Sequence, residues 1–365
     1  MKRQTTKNAL ILVLVSALFF PASSPAAIPL LESLPWWRAQ TYLATDIKGV
    51  GLIDSYVEDN QGLSYVYDNA LAAMAFTVAR QFGMAEEILA TLSTQVIKTP
   101  NGLLFESYNL LDPNGSGQGP VYAGNTAWLL QALNVYQKYT GRKTYAAFQK
   151  ILADYLLSQQ DFDGGIFIMP GNFGKSTEHN LAAFSALYNY GQLNSLPAYM
   201  TAAKQVHNFL TTHTWIASET RFRTSVPDPQ PYELLTWATD CQALGALALG
   251  SNYSPALNWA EANLLVTKQL GNVNVTGFDF NSDRDTVWFE GTLQMALAFK
   301  KTGLTVQANK YYTQAIKGRK SDGSILLATN TGTASIYWML QPWRAAAPTA
   351  WLVFYAKNFN PLAIL

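Results

Sequence analysis

Paired helical segments recur about every 50 to 60 residues along this 365-residue chain, and this repeat constrains the fold more than any other feature. The first members of the pairs are apolar on nearly every face, so each is expected to be covered on both sides. They begin at Tyr67, Gly124, Thr177, Ala238, Val287 and Ala345. The second members are apolar on one face only, which is typical of helices with one face in solvent. They span residues 84–98, 145–156, 198–212, 256–269 and 305–319.

This pattern predicts two concentric layers, with six apolar helices inside and the amphipathic helices outside. The predicted fold is all-α, an (α/α)6 toroid in which residues 36–44 supply the sixth outer segment. Gly83, Gly141, Gly250 and Gly303 follow helical segments, at positions where left-handed C-caps are common. An open solenoid of helical hairpins uses the same pairing and is the alternative.

The N-terminus has the pattern of a secretory signal peptide. Lys2, Arg3 and Lys7 form a basic start, residues 9–20 form an apolar core, and small residues follow. This core is shorter than the roughly 20 residues that a membrane-spanning helix needs. We therefore expect residues 1–27 to be removed and residues 28–365 to form a single toroid domain without a membrane span. The protein is expected to be secreted or periplasmic.

Composition excludes several functional classes. Charged residues make up only 13% of the chain and the net charge is +1, so nucleic acid is not an expected partner. Cys241 is the single cysteine, so no internal disulfide forms. The three histidines, His179, His207 and His213, form no zinc-binding pattern, and no phosphate loop is present. We expect a monomer without a cofactor.

One rim of the predicted ring should carry the functional residues. The longest connections, residues 99–123, 161–176, 215–231, 271–284 and 321–344, all precede inner helices. Polar residues of the inner helices cluster at the same ends, and aromatic residues accompany them. The polar residues are Asp68, Asn69, Asn125, Glu178, His179, Asn180, Asp240 and Glu290, and the aromatic ones are Tyr65, Tyr67, Trp128, Trp288 and either Trp338 or Trp343. N-capping is the alternative for each polar residue.

Acids that converge among aromatic side chains indicate a carbohydrate site. A glycosidic bond breaks when one carboxylic acid protonates the leaving oxygen and a second carboxylate activates water or attacks the sugar. Glu178 and Glu290 are the predicted pair, because apolar surroundings in the first helical turn raise a carboxyl pKa. Asp68 is the third catalytic candidate. The predicted substrate-binding residues are Tyr65, Tyr67, Asn125, Trp128, His179, Asp240, Asp285, Trp288 and Trp343. A structural Glu290 bonded to Gln294 is the alternative.

The loop before Glu290 offers a second interpretation. Asp279, Asn281, Asp283, Asp285 and Glu290 fall at positions 1, 3, 5, 7 and 12 of a calcium-loop pattern. Position 6 is Arg284 instead of the glycine that the turn requires, and no helix is predicted to enter the loop. We therefore expect no metal here and interpret Asp285 as a sugar ligand or helix cap.

The stretches YVYDNALAAMAF, STEHNLAAFSAL and GFDFNSDRDTVWFEGTLQMAL resemble secreted bacterial members of the six-hairpin glycosidase-like superfamily. The resemblance spans nearly the whole mature chain and implies an (α/α)6 barrel that cleaves polysaccharides. It carries over no catalytic pair residue by residue. A sugar 2-epimerase of similar fold is expected to have two histidines on inner helices, and only His179 qualifies.

The expected function is that of a secreted glycoside hydrolase that cleaves a polysaccharide or oligosaccharide by carboxylate acid/base catalysis. Two alternatives remain. One is a non-catalytic carbohydrate-binding protein of an exopolysaccharide system. The other is a polysaccharide lyase, for which His179 with Tyr67 could supply a base.

Overall fold

Six apolar helices form the inner wall of a ring, as the repeat predicts. In this computed structural model the described residues are Leu43, 47–48, 51–112, 115–171, 173–227, 237–335 and 338–365. Within them the inner helices are α1 (Val66–Val78), α3 (Ala123–Thr140), α5 (Thr177–Asn194), α7 (Thr239–Leu249), α9 (Phe289–Lys301) and α11 (Ala346–Ala356). Each inner helix packs against the next, and α11 packs against α1. The ring is therefore closed, which confirms the toroid and excludes the open solenoid.

Five outer helices lie against this wall within the described part of the chain. They are α2 (Phe82–Ala90), α4 (Ala146–Ser158), α6 (Pro197–Phe209), α8 (Pro255–Asn263) and α10 (Thr305–Ala315). The predicted signal peptide lies outside the described residues. So does the predicted sixth outer segment, residues 36–44, apart from the buried, helical Leu43. No helix among the described residues is both long and apolar enough to cross a membrane.

The predicted outer segment 256–269 is wrong in its second half. The helix ends at Asn263, and residues 265–278 form a hairpin of β10 (Leu265–Leu270) and β11 (Val273–Phe278). β-branched residues and alternation favour a strand here, and Gly271 adopts a positive φ at the turn.

Short antiparallel strands connect the loops of the rim. They are β1 (Ile47–Lys48) with β2 (Leu52–Ile53); β3 (Leu63–Tyr65) with β4 (Ser107–Asn109), which also pairs with β5 (Gly117–Gln118); β6 (Lys175–Ser176) with β9 (Ser225–Val226); β7 (Trp215–Ile216) with β8 (Arg221–Phe222); β12 (Ile325–Leu326) with β15 (Arg344–Ala345); and β13 (Gly332–Thr333) with β14 (Met339–Leu340). Two of these pairs, β3 with β4 and β6 with β9, join loops of neighbouring repeats and so connect these parts of the rim.

The inner helices are capped by backbone carbonyl groups of the neighbouring loop. The first N–H group of each inner helix donates to a carbonyl oxygen in the loop that leads to the next inner helix, at 2.8 to 3.1 Å. The six pairs are Val66 with Glu106, Ala123 with Ile168, Thr177 with Thr224, Thr239 with Phe280, Phe289 with Leu327, and Ala346 with Ser55. A side-chain N-cap is present only at α5, where Ser176 accepts from His179 N. N-capping therefore does not account for the acids at these helix starts.

The fourth residue of each inner helix is polar and has a structural role in at least five of the six repeats. Asn69, Asn180, Gln242, Thr292 and Thr349 each accept a hydrogen bond from a buried backbone N–H group of the rim strands or loops. Thr126 occupies the equivalent position in α3 and donates to Tyr122 O. The polar residues at the helix starts thus fall into two classes. Residues at the fourth position form hydrogen bonds that hold the rim strands and loops, whereas residues at earlier positions lie nearer the axis of the ring.

Two of the glycine predictions fail. Gly250 ends α7 with a positive φ of 92°, but its ψ of −174° is not that of a left-handed C-cap. α1 ends at Val78, Arg80 adopts the positive φ of 67° that was expected of Gly83, and Gly83 lies inside α2. Gly141 does form the left-handed C-cap of α3.

The C-terminal residues close the opposite end of the ring. Gln131 Nε2 on α3 donates to Pro361 O at 2.5 Å, and Asn189 Nδ2 on α5 donates to Leu362 O at 3.2 Å. Asn360 Nδ2 donates to Leu247 O on α7 at 2.8 Å. The tail therefore bridges three inner helices on the side away from the long loops.

Candidate active site

Three acids occupy the same level on three consecutive inner helices. The second residue of each inner helix forms this central layer, which consists of Tyr67, Gly124, Glu178, Asp240, Glu290 and Ala347. Because α5, α7 and α9 are neighbours in the ring, Glu178, Asp240 and Glu290 share one half of the layer. The other half has one large side chain, Tyr67, between two small residues.

Glu290 is the most enclosed of the three acids, with 3% of the residue exposed. Its Oε1 accepts from Tyr67 Oη at 2.6 Å and from Gln294 Nε2 at 3.1 Å. The pKa of Glu290 is raised to about 8, chiefly by burial and also by the charges of Asp68 and Asp240. Hydrogen bonding by Tyr67 and Trp351 opposes this rise. Glu290 therefore keeps its proton near neutral pH. The predicted contact with Gln294 is present, but Glu290 is also bonded across the ring.

Glu178 is more accessible, with 22% of its side chain exposed. Trp128 Nε1 donates to Glu178 Oε1 at 2.6 Å, and His179 Nε2 lies 3.5 Å from Oε2. Burial raises the pKa of Glu178 to about 7, and the Trp128 hydrogen bond opposes this shift. Burial lowers the pKa of His179 to about 4, so the imidazole is neutral.

Two further acids, Asp240 and Asp68, lie near Glu178 and Glu290. Asp240 is partly exposed, and burial together with the charge of Glu178 raises its pKa to about 7. Asp68 lies one position later in its helix, is 2% exposed and is bonded to Ser55. Burial raises the pKa of Asp68 to about 7. Asp68 is thus close enough to act on Glu290 electrostatically but lies outside the central layer.

Aromatic rings lie beneath and around the acids. Tyr67 meets Trp128 edge to face at 5.5 Å between centroids, and Trp128 meets Trp351 in the same way at 6.2 Å. Trp128 and Trp351 are buried one turn below the central layer, where Gln294 also lies. These residues form a floor that separates the acids from the C-terminal tail.

The remaining predicted binding residues are spread around the rim. Tyr65 packs against Tyr56, and Tyr56 lies 6.3 Å from Trp343. Trp288 is buried against Phe280 at the start of α9. Asn125 is partly exposed in the first turn of α3. These positions surround the central layer from different repeats.

Asp285 lies away from the central acids. Its Oδ2 accepts from Thr333 N at 2.9 Å, so it holds the β13–β14 hairpin in place. Burial and the charge of Asp283 raise the pKa of Asp285, and hydrogen bonding by Thr333 opposes this rise. None of the central acids is among the causes of the shift. The hydrogen bond from Thr333 gives Asp285 a role in loop structure, and its predicted sugar contact stays a prediction.

The calcium-loop residues only partly match a calcium site. Carboxylate oxygens of Asp279, Asp283 and Asp285 lie within 4.8 Å of one another, and Arg284 adopts the positive φ expected of a glycine at position 6. However, Asn281 bonds to the loop backbone, and Glu290 bonds to Tyr67 in the ring centre. Asp279, Asp283 and Asp285 thus make up only part of the ligand set of the calcium-loop pattern, and the expectation that no metal binds here stays a prediction.

Several site residues carry no clear signal in the sequence. Trp351 lies in the middle of an apolar helix, and Tyr56 lies in a loop without a motif. Phe280 lies within the calcium-loop pattern but at none of its ligand positions. Trp338, which meets Phe280 at 5.8 Å, was considered beside Trp343 and is 36% exposed on the rim. Glu106, in the loop before α3, raises the pKa of Tyr65 and Tyr122 by its charge. Only the folded chain brings these residues to the site.

Solved structures with the same fold include enzymes that act on carbohydrates. A glycosidase solved in complex with glucose aligns with a TM-score of 0.67 at 10% identity, over 94% of this chain and 100% of that chain. Cellobiose 2-epimerase from Bacillus thermoamylovorans aligns with a TM-score of 0.64 at 11% identity, over 87% and 95% of the two chains. An alpha-amylase from Clostridium perfringens aligns with a TM-score of 0.63 at 9% identity, over 89% and 98%. At such low identity the likeness shows the fold alone.

No family profile matches the sequence, and no curated protein matches it.

Proposed function

We propose that this protein is a carbohydrate-active enzyme of the six-hairpin glycosidase-like superfamily and that it hydrolyses glycosidic bonds. The observation that carries the proposal is the central layer, where three acids converge at one level of a closed ring. None of the three caps the start of its helix, and two are held by aromatic donors from other repeats, Tyr67 on α1 and Trp128 on α3.

Glu290 is the proposed general acid. With a pKa of about 8 it is protonated at neutral pH, so it can donate its proton to the leaving glycosidic oxygen. Tyr67 and Gln294 both hold Oε1, which leaves Oε2 as the oxygen that faces the substrate. Asp68 and Asp240 contribute by raising the pKa of Glu290.

Glu178 is the proposed partner. Its pKa of about 7 gives a substantial ionised fraction at neutral pH, and its side chain is partly exposed, so a sugar can reach it. As a carboxylate it either takes a proton from the attacking water or attacks the sugar carbon itself. Trp128 fixes Oε1, and the neutral His179 beside it is free to bond a sugar hydroxyl group.

Electrostatics and composition disfavour the other reactions. A lyase that acts on uronate polymers needs a cation to neutralise the substrate carboxylate, and in the described part of the chain no Lys or Arg pairs with Asp68, Glu178, Asp240 or Glu290. For a 2-epimerase, His179 is the only histidine on an inner helix, since His207 lies on α6 and His213 follows it.

The test is turnover by the Glu290→Gln and Glu178→Gln variants on a panel of glucans and uronate polymers. We expect new reducing ends with the wild type and a loss of kcat of about 10²- to 10⁴-fold in each variant, because each removes one proton-transfer group. Melting temperatures serve as the folding control. Binding without turnover by the wild type would support the carbohydrate-binding alternative, and unsaturated products would support a lyase.

We also propose that residues 1–27 direct export, because they have the pattern of a signal peptide, and that the protein works as a secreted or periplasmic monomer. Expression of the full chain should yield a mature protein that begins near Ile28, as read by mass spectrometry. Recovery of the intact N-terminus from the cytoplasm contradicts this proposal.

A further inference from the structure

Gly124 is a glycine at a helical position where the backbone does not require one. It is the second residue of α3, and its φ is not positive. Glycine is less favourable than alanine within a helix, so its presence needs another reason. That reason is the neighbouring repeat, because a Cβ atom at Gly124 would lie 2.3 Å from Cδ2 and 2.6 Å from Nε2 of His179. Gly124 therefore leaves the space that the imidazole ring occupies.

The start of α3 holds the His179 ring in place. The ring lies against Gly124, and Tyr122, which precedes α3, meets it edge to face at 6.1 Å between centroids. Contacts with both residues restrict the rotation of the ring. The His179 side chain is 19% exposed, so a ligand in the ring centre can still reach part of it.

The two ring nitrogens of His179 have different surroundings. Nε2 lies 3.5 Å from Oε2 of Glu178, slightly farther than an N–H···O hydrogen bond. Nδ1 is inaccessible and has no hydrogen-bond partner among the described residues. The ring is neutral and carries one N–H group. A proton on Nδ1 would bury a donor without an acceptor and direct the Nε2 lone pair at the carboxylate. A proton on Nε2 avoids both costs.

We propose that Gly124 and His179 are positioning residues for Glu178: Gly124 leaves room for the imidazole ring, and His179 directs an Nε2–H donor at Glu178 Oε2. Trp128 Nε1 already donates to Oε1, so each oxygen of Glu178 faces its own donor. Two donors stabilise the ionised carboxylate, which is the state that the proposed base or nucleophile needs. Glu290 differs, because both of its donors bind Oε1.

This inference rests on the proposed function for the role of Glu178, but it concerns the position of one proton and the ionisation of one carboxyl group. Both are measured without a substrate. A protein that cleaves no glycan would therefore contradict only the proposed hydrolysis, whereas the wrong tautomer of His179 would contradict only the positioning role.

The first experiment determines the tautomer of His179 by nitrogen NMR of the mature protein labelled with ¹⁵N-histidine. The chain has three histidines, and the His179→Gln variant identifies the signals of His179. Spectra are recorded at about pH 8.5, where Glu178, with a pKa of about 7, is ionised. We expect the proton on Nε2 and an unprotonated Nδ1. A proton on Nδ1, an even mixture of the two tautomers or a charged ring overturns the proposal.

Gly124→Ala tests the space beneath the ring. The added methyl group displaces the imidazole, so the signals of His179 should shift and the preference for the Nε2 proton should weaken. Gly83→Ala adds the same group within α2, where no atom lies within 4 Å, and should leave these signals unchanged. Unchanged His179 signals in folded Gly124→Ala would contradict the role of Gly124.

The second experiment measures the pKa of Glu178 by carbon NMR of its labelled carboxyl group, identified with Glu178→Gln. In His179→Leu the donor is lost, so the pKa of Glu178 should rise by about 1, the effect of one hydrogen bond to a charged group. In His179→Gln the amide keeps an N–H donor, so the pKa should stay close to that of the wild type. Two titratable groups of other helices act on or respond to Glu178, Asp240 on α7 and Tyr67 on α1, and both variants retain them. Equal pKa values of Glu178 in the two variants would show that His179 does not act on it.

Discussion

At the scale of single residues, the helical position decides what each polar side chain does. Asp68, Glu178 and Asn180 all lie in the first turn of an inner helix, yet only Glu178 belongs to the central layer. Asn180 satisfies the N–H and C=O groups of Ile166, and Asp68 is bonded to Ser55. A shift of one or two positions rotates a side chain by 100° or 200° around the helix. This rotation separates the residues of the central layer from the residues that hold the loops.

The raised pKa of Asp68 makes stability depend on pH. Its pKa is about 7 in the folded protein and 3.8 for an ordinary aspartate, so the folded state holds the proton more tightly. Its contribution to the free energy of unfolding is complete below pH 4 and is lost as pH rises through 7. Asp68→Asn has no such loss, so its stability relative to wild type should rise by a few kcal/mol, on the order of 1.4 per pKa unit, between pH 4 and 8.

Urea unfolding of wild type and Asp68→Asn at pH 4, 6 and 8 measures this difference. A stability difference that does not change with pH would show that Asp68 keeps an ordinary pKa. Turnover of Asp68→Asn tests whether Asp68 is a catalytic residue. If Asp68 acts only through the pKa of Glu290, the variant shifts the pH profile of turnover and does not abolish activity.

The pH dependence of turnover follows from the proposed pair. Glu178 must be ionised and Glu290 protonated, so kcat/KM should rise through a pKa of about 7 and fall above about 8. Tyr67→Phe removes a hydrogen bond that lowers the pKa of Glu290, and should move the alkaline limb to higher pH. An alkaline limb that stays in place would argue against Glu290 as the acid.

At the scale of elements, the rim loops and inner helices stabilise one another through a repeated hydrogen-bond pattern. Each inner helix receives its first backbone acceptor from the following loop, and its fourth residue holds a rim strand or loop. The loops are therefore ordered by the helices whose ends they line. This explains how residues from long connections hold fixed positions around the acids.

Asn180→Ala tests this pattern. It leaves the buried N–H and C=O groups of Ile166 without their partner, at a cost of about 1–3 kcal/mol for each unpaired group. Asn208→Ala on the exposed face of α6 is the matched control and should change stability by less than about 0.5 kcal/mol. Comparable losses in the two variants, measured by urea unfolding, would contradict the role of the fourth position.

At the scale of the whole molecule, the ring has two different ends. The long loops and acids lie at one end, whereas the C-terminal residues bridge α3, α5 and α7 at the other. The aromatic floor of Trp128 and Trp351 separates the two. For the proposed enzyme, the rim is therefore the end at which the substrate enters and leaves.

Removal of residues 359–365 tests the division between the two ends. Phe359 and Leu362 are buried, so truncation exposes apolar surface and should lower the melting temperature by several degrees. The turnover of molecules that remain folded should stay near the wild-type value, because the acids lie on the far side of the floor. A pH profile altered by truncation would show that the tail acts on the site.

The sequence alone determined the two layers of helices. Six apolar helices and five amphipathic ones bury their surfaces in such layers, whether the array is a ring or an open solenoid, and contact between the last and the first inner helix decided for the ring. The positions of the long loops predicted which rim carries the candidate site. The repeat could not reveal the hairpin at 265–278, because its short apolar alternation also fits the end of a helix. Nor could it reveal the positive φ of Arg80, which any residue adopts only under tertiary constraint.

Only the tertiary structure decided which acids meet. Helical period predicts that first-turn residues face one rim, but closure of the ring sets the partners across it, such as Tyr67 on Glu290 and Trp128 on Glu178. Those contacts join residues 223 and 50 positions apart, which no local pattern encodes. The elevated pKa values arise from the same closure, since desolvation by neighbouring repeats is their largest cause.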